Sequence, residues 1–285
     1  QTQVQVSTDV QGEVGRLVIE NRGKQPILVL AGTLLKGGKQ DRQIGQDFII
    51  RPGASTPVDS YCVEHGRWTA SREGKSTRGL FQAVPVLGTL SVRAQAQYEK
   101  DQNAVWEQVA EENRKAEKAP DSGTLLAAVE AAPTTDADRT ALTRRQEVTR
   151  VLAERFAVLD RAAPRPVGIA YAVDGEVREV RFFNHPVIFR RYGEQLFATI
   201  AIEADLAARE AAEGWDAPEA ERPVAADVAG LVREIAPARK EAAATEAGNV
   251  NVYQKAGGKA AARVYADEAA ADAEAEPVTG AYSKY

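Results

Sequence analysis

The sequence predicts an α+β fold with an N-terminal antiparallel β-sandwich-like module, a helical middle, and a unit made of a β-hairpin and a helix. Three observations predict it: short Val- and Ile-rich runs broken by glycine and proline, then long stretches with few breakers, then a return to alternating apolar residues. The predicted domains are a β-rich module at 1–88, a helical segment at 89–163, a hairpin–helix unit packed with the β module at 164–210, and a weakly patterned C-terminal segment at 211–285.

The composition is that of a globular protein rather than a protein with membrane-spanning helices. With 285 residues, 44% hydrophobic and 27% charged, the chain has the composition of a globular protein that can bury a large core. No run approaches the roughly 20 apolar residues of a membrane-spanning helix. The net charge of −5 hides an asymmetry, because basic residues outnumber acidic ones from Arg16 to Arg78. A basic module on an acidic body favours an anionic ligand.

The β-rich module is predicted from four apolar runs: RLVIEN, PILVLAGTLL, QIGQDFII and STPVDSYCVE. Turn residues separate them, including Gly37-Gly38 and Pro52-Gly53. Runs of this length closed by such turns are typical of antiparallel strands at sandwich or barrel spacing.

The helical middle is predicted from Leu90 to Glu117 and from Asp136 to Arg161. In the second stretch the apolar residues fall on one stripe: Val148, Val151, Leu152, Phe156 and Leu159. Asp174-Gly175 then lies between alternating apolar residues, which is a strong hairpin signal because both residues tolerate positive φ. Pro186 suits the first turn of a following helix whose inward residues are Phe189, Tyr192, Leu196 and Ile200.

The C-terminal segment carries weaker signals. A helix is predicted around 225–235, and strands are possible at NVNVYQK and AARVYA. The tail from Asp267 consists mostly of Ala, Asp and Glu, and such a composition buries too little apolar surface to fold alone.

The chemistry-bearing residues concentrate in YCVEHGRW at 61–68, which holds the single cysteine and one of two histidines. On a strand, Cys62 and Glu64 would face one side and His65 the other, which disfavours both a zinc site and a Cys–His nucleophile. His185 beside Asn184 is interpreted as a helix-start residue. We therefore predict no catalytic residue, no metal and no cofactor.

Two basic loops remain as candidate binding elements, KGGKQDR at 36–42 and HGRWTASREGKSTRG at 65–79. The REGKST stretch imitates the end of a P-loop but has Thr69 where that motif needs glycine. Lysines, arginines and main-chain donors in such loops could hold phosphate or carboxylate, and Trp68 could stack on a base or sugar. The alternative is an ordinary solvated loop with a core tryptophan.

These loops also carry a family resemblance. The chain resembles the ARG and rhodanese-phosphatase-superfamily-associated domain family, whose members have a GG-K-Q-x-R loop followed by a C-V-E-x-G-R-W strand end; here these are 37–42 and 62–68. The similarity covers about residues 14–208, and His65 stands where the family usually has Gln. The resemblance implies a genomic link to ADP-ribose-processing and phosphatase-like proteins, implies no established reaction, and supports anion binding by the motif residues.

The function expected is binding rather than catalysis, with a phosphate-bearing ligand such as nucleic acid (DNA). In the predicted site three cations supply charge, Gln40 and Glu64 orient them or the ligand, and Trp68 packs or stacks; the cations are Lys39, Arg42 and Arg67.

Two other functions stay open. One is a structural or accessory subunit of an exported cell-envelope assembly with protein partners, and the other is an enzyme acting on ADP-ribose or nucleotide-type substrates. Gln1 and the absence of methionine are compatible with removal of an export signal. A coding bias towards arginine and alanine explains the same facts, so a cytoplasmic location stays open too.

Overall fold

The computed structural model describes residues 4–8, 15–72, 74–130, 133–173, 175–212, 225–244, 249–257, 259–267 and 277–285. The chain divides into two compact units, unit 1 (1–130 with 244–249) and unit 2 (131–243 with 250–285). The division passes through the predicted helical segment 89–163, so that its first helices belong to unit 1 and its long second helix to unit 2. Asp174 of the predicted hairpin turn and most of the acidic tail, 268–276, lie outside the described residues.

Ten strands form the β part of unit 1. They are β1 (Val4–Thr8), β2 (Arg16–Asn21), β3 (Ile27–Val29), β4 (Thr33–Gly37), β5 (Arg42–Ile44), β6 (Phe48–Ile50), β7 (Ser55–Cys62), β8 (Ser71–Arg72), β9 (Lys75–Ser76) and β10 (Leu80–Leu87). Six of them close into a barrel in the order β1-β10-β4-β5-β7-β2, with antiparallel neighbours, while β3–β6 and β8–β9 form two separate two-stranded sheets.

The antiparallel β module is therefore confirmed, but its sandwich-like form is not, because the sheet closes on itself. Strand β1 pairs with both β2 and β10, so that the barrel has no free edge. Alternate residues point inward and build one apolar core, with Leu17, Ile19, Ile44 and Val58 at its centre.

Three helices and one π-helical turn follow the barrel in unit 1. They are α1 (Leu90–Ala94), the π-helical turn Gln95–Glu99, α2 (Gln102–Lys115) and α3 (Leu126–Val129). Asp101 begins α2 by accepting bonds from the main-chain N–H groups of Asn103 and Ala104. The Gln102 amide then bonds both the N–H (2.8 Å) and the carbonyl (2.9 Å) of Cys62. Helix α2 is thereby fixed to the end of β7, where the candidate site begins.

Unit 2 is built on a six-stranded sheet. Its strands are β11 (Gly168–Val173), β12 (Glu176–Phe183), β13 (Lys240–Ala244), β14 (Asn249–Lys255), β15 (Ala260–Asp267) and β16 (Pro277–Lys284). They lie in the order β11-β12-β16-β15-β14-β13, antiparallel at β11–β12, β12–β16 and β15–β16. The predicted hairpin forms β11 and β12. The C-terminal strand β16 lies between β12 and β15, so the weakly patterned segment supplies much of this sheet.

Three helices complete unit 2: α4 (Asp136–Leu159), α5 (Pro186–Ala212) and α6 (Ala225–Ile235). A capping box between Thr135 and Asp138 begins α4. Phe183 of the sheet stacks against Phe189 of α5, with ring centroids 5.9 Å apart, while Leu231 and Ile235 of α6 pack on an apolar cluster of the sheet. Leu159, predicted on the buried stripe of α4, is 55% exposed. Among the described helices, none combines the length and the apolar character needed to span a membrane.

Candidate functional site

The two basic loops lie side by side in unit 1. The Gly38 N–H donates to the carbonyl of Leu80 (2.9 Å), and the Gly38 carbonyl accepts a bond from the Thr77 hydroxyl (2.9 Å). The Thr77 N–H in turn donates to the carbonyl of Ala70 (2.9 Å). We call residues 36–42 and 65–79 together the basic loop surface. Its two halves, far apart along the chain, are joined by main-chain contacts.

Arg67 holds the two halves together. Its Nε donates to both oxygens of Glu64 (3.0 Å each), and its Nη2 donates to Glu64 Oε2 at 2.7 Å. The same guanidinium donates to the carbonyl oxygens of Gly37, Gly38 and Thr69, each at 2.9 Å. Since its donors are used inside the protein, Arg67 positions the loops and has no nitrogen left to offer a ligand.

Two buried carboxylates face this guanidinium. Asp41, with no exposed side-chain surface, accepts bonds from the Gly37 N–H (3.0 Å) and the Thr124 hydroxyl (2.7 Å) and pairs with Arg72. Glu64 accepts a further bond from the Asp41 N–H at 2.8 Å. Burial raises the pKa of Asp41, and the neighbouring charge of Glu64 raises it further. We call Asp41, Glu64, Arg67 and Arg72 the arginine clamp, in which two cations balance two anions.

Close approach of the main chain explains the glycine pair of the loop motif. A Cβ added at Gly37 would lie 2.3 Å from the carbonyl oxygen of Leu80, and one added at Gly38 would lie 2.1 Å from the ring of Phe81. Both residues also have positive φ, +138° and +49°. The motif therefore needs glycine at both positions to bring its loop onto β10.

Gln40 and Arg42, predicted to contact ligand, lie inside unit 1. Gln40 is fully buried and its amide donates to the carbonyl of Glu64 at 2.7 Å. Arg42 is 6% exposed, lies opposite Cys62 in the barrel register and contacts the Cys62 sulfur. Burial lowers the pKa of Arg42, and the nearby Cys62 thiol partly offsets this decrease. Both side chains connect the loop to the end of β7 rather than to solvent.

Cys62 is fully buried, and burial raises the pKa of its thiol while Arg42 partly opposes the rise. We expect the native protein to resist a thiol-specific disulfide reagent and to react fully once unfolded in guanidinium, because only an accessible thiolate attacks. Because the thiol pKa is higher in the folded protein than in the unfolded chain, the free energy of unfolding depends on pH. The stabilising contribution is complete below 9.0, the ordinary thiol pKa, and is lost as the pH rises through the folded-state pKa. Rapid labelling of the native protein at neutral pH would contradict the burial of Cys62. The Cys62→Ala variant, which has no thiol, gives the background signal of the reagent.

The side chains that reach solvent on the basic loop surface are different ones. Trp68 is 53% exposed, and Lys39, Lys75 and Arg78 are exposed with no carboxylate partner among the described residues. Lys36 is bonded to Glu130 at 2.9 Å. Of the predicted site residues, Lys39 and Trp68 are thus open to a ligand. Sequence reasoning placed Lys75 and Arg78 in the loop without selecting them, and it missed Asp41, Arg72 and Thr124 of the buried network.

The histidines have packing and capping contacts. The His65 ring meets Trp106 edge-on, with centroids 4.6 Å apart. His185 lies at the start of α5 as expected, and its Nδ1 accepts a bond from the Val187 N–H at 3.2 Å. Among the described residues, no group of three or more His, Cys, Asp or Glu side chains could hold a metal ion.

The chain matches one known protein family over most of its length. The family model of the ARG and Rhodanese-Phosphatase-superfamily-associated Protein domain, ARPP-1, matches residues 1–274, and the chain therefore belongs to this family. The match confirms the resemblance inferred from the two loop motifs and extends beyond 14–208. No curated protein and no solved structure matches the chain.

Proposed function

We propose that this ARPP-1 family member is a binding protein that holds phosphate-bearing ligands on its basic loop surface. The observation that carries the proposal is the separation of charges within the loops. Asp41 in the loops and Glu64 next to them are buried and paired with Arg67 and Arg72, whereas Lys39, Lys75 and Arg78 stay at the surface; Glu73, also in the loops, lies outside the described residues. A ligand approaching the loops therefore meets cations without competing carboxylates from the clamp.

The buried groups support binding over catalysis. A general acid, a base or a nucleophile has to reach the reacting atom of the substrate. Asp41 and Glu64 have their oxygens engaged by Arg67, Arg72 and main-chain N–H groups, and Cys62 has no exposed surface. These residues stabilise the loops, while the exposed described side chains there include three cations, the indole of Trp68 and the imidazole of His65, which packs edge-on against Trp106.

The test is a charge reversal at the three exposed cations, Lys39→Glu, Lys75→Glu and Arg78→Glu together. We expect the wild-type protein to bind inorganic polyphosphate, with affinity falling roughly 20-fold between about 50 and about 200 mM salt if three cations contact phosphate and each contact releases about 0.7 counterion. The triple variant should show no measurable binding. Isothermal titration calorimetry at several salt concentrations gives both the affinity and the salt slope.

A matched control separates a local surface from net charge. Lys24, Arg165 and Arg239 are exposed cations outside the basic loop surface, and reversing these three changes the net charge equally. This control variant should bind polyphosphate nearly as the wild type does. Equal loss in both triple variants, or wild-type affinity that does not respond to salt, would overturn the proposal.

A further inference from the structure

We infer that the ligand carries an unpaired nucleobase as well as phosphate, and that the base stacks on Trp68; this inference rests on the proposed function. The shared chemistry is a nucleoside phosphate, supplied either by single-stranded nucleic acid or by a free nucleotide.

The indole of Trp68 is more than half exposed. At 53% exposure it is the only aromatic among the strongly exposed large apolar side chains of the described residues. Trp106, by contrast, lies half-buried against the ring of His65. An indole left in water beside cations is a stacking platform for bases, since every base has a π-face and phosphates accompany it.

The main chain on both sides of Trp68 is held in place. Arg67, one residue earlier, is bonded to Glu64 and to the carbonyl of Gly38. The same guanidinium reaches across to the carbonyl of Thr69, one residue later, at 2.9 Å. The arginine clamp thus brackets Trp68 and fixes its backbone before any ligand arrives. Such preorganisation lowers the entropy that binding would otherwise cost.

The cations lie on the segments bonded next to Trp68. Ala70 bonds to Thr77, which precedes Arg78, and Thr77 bonds to Gly38, which precedes Lys39. Arg78 has a φ of +52° and Gly79 one of +71°, as the central residues of a tight turn that the bond from the Leu80 N–H to the Thr77 carbonyl closes at 3.0 Å. Trp68, Lys39 and Arg78 therefore lie on three backbone segments that are bonded in sequence. A nucleotide, with a base to stack and phosphates to pair, has the chemistry that these side chains bind.

An indole can stack only on a base whose face is free. In a duplex the faces of the bases are covered by their neighbours, so the site discriminates against double strands except at their ends. The expected order of affinity is single-stranded oligonucleotide, then abasic oligonucleotide of equal charge, with polyphosphate similar to the abasic strand.

The experiment compares Trp68→Ala with wild type by fluorescence anisotropy, using a labelled thymidine oligonucleotide of about ten nucleotides and its abasic counterpart. We expect Trp68→Ala to bind the thymidine strand about tenfold more weakly and to leave polyphosphate and abasic binding unchanged, because stacking is lost and charge is not. Trp68→Phe should restore most of the affinity. Leu80→Ala, which removes an apolar side chain that is 43% exposed beside the same loop, is the control and should bind as wild type.

The outcomes separate this inference from the proposed function. If thymidine and abasic strands bind equally and Trp68→Ala changes neither, the base inference is wrong while phosphate binding stands. If no anionic probe binds, the proposed function fails. If a nucleoside monophosphate displaces the labelled strand as effectively as unlabelled strand does, at equal concentration of binding sites, the ligand is a free nucleotide. If only strands displace it, the ligand is single-stranded nucleic acid.

Discussion

Replacing Arg67 by alanine should lower the free energy of unfolding by about 3–5 kcal/mol. The substitution leaves Glu64, 1% exposed, without its bidentate partner, and it removes the donors to the carbonyl oxygens of Gly37 and Gly38. The buried carboxylate then keeps the cost of desolvation and is left with only the Asp41 N–H at 2.8 Å and the more distant Arg72 at 3.9 Å to offset it. Urea unfolding followed by tryptophan fluorescence and by circular dichroism measures the effect.

Two variants make this result specific. Arg78→Ala removes an exposed cation from the same surface and should change the free energy of unfolding by no more than about 0.5 kcal/mol. Arg67→Lys keeps the charge but not the planar fork, so that it should recover only part of the lost stability. A loss of less than about 1 kcal/mol in Arg67→Ala would mean that solvent or another cation satisfies Glu64, and the clamp would then not be what holds the loops.

The sequence suggested that the two basic loops lie together, but not what their arginines contact. Basic residues around a glycine pair and around Trp68 indicated two loops of one surface, and a bond between Gly38 and Thr77 joins these loops. Whether an arginine faces a ligand or a carboxylate depends on contacts between distant residues. Thr124, which binds Asp41 at 2.7 Å, lies 83 positions away from it and carries no local signal of that contact.

The same limit applies to the fold. Four apolar runs predicted the strands between residues 16 and 62, but not β1 and β10, whose pairing decides between a sandwich and a barrel. Val6 lies opposite Phe81, a contact that local patterning does not specify. In unit 2, strand β16 follows a segment rich in Ala, Asp and Glu, and its burial comes from the flanking strands β12 and β15. Its own sequence, PVTGAYSK, contains too few apolar residues to predict a central strand.

Replacing Asp205 by alanine should also lower the free energy of unfolding by about 3–5 kcal/mol, through unit 2. Asp205 on α5 is fully buried and accepts bonds from Arg144 (2.8 Å), Arg145 (3.0 Å) and Arg209 (3.3 Å). Burial lowers the pKa of Arg145, and Asp205 opposes this decrease, so that removing the carboxylate leaves the desolvated guanidinium with only the smaller effect of Asp138 to offset burial. Differential scanning calorimetry and urea unfolding both report the loss.

The control for Asp205 is Glu147→Ala, which breaks an exposed pair with Arg150 on α4 and should cost no more than about 0.5 kcal/mol. The contrast matters for the functional argument, because Asp205 lies in unit 2 and the basic loop surface in unit 1. Under conditions where Asp205→Ala remains folded, it should bind polyphosphate like wild type, whereas Arg67→Ala should bind more weakly because its loops are no longer held. If Asp205→Ala weakened binding as much as Arg67→Ala, the affinity would follow overall stability, and the arginine clamp would have no separate part in presenting the surface cations.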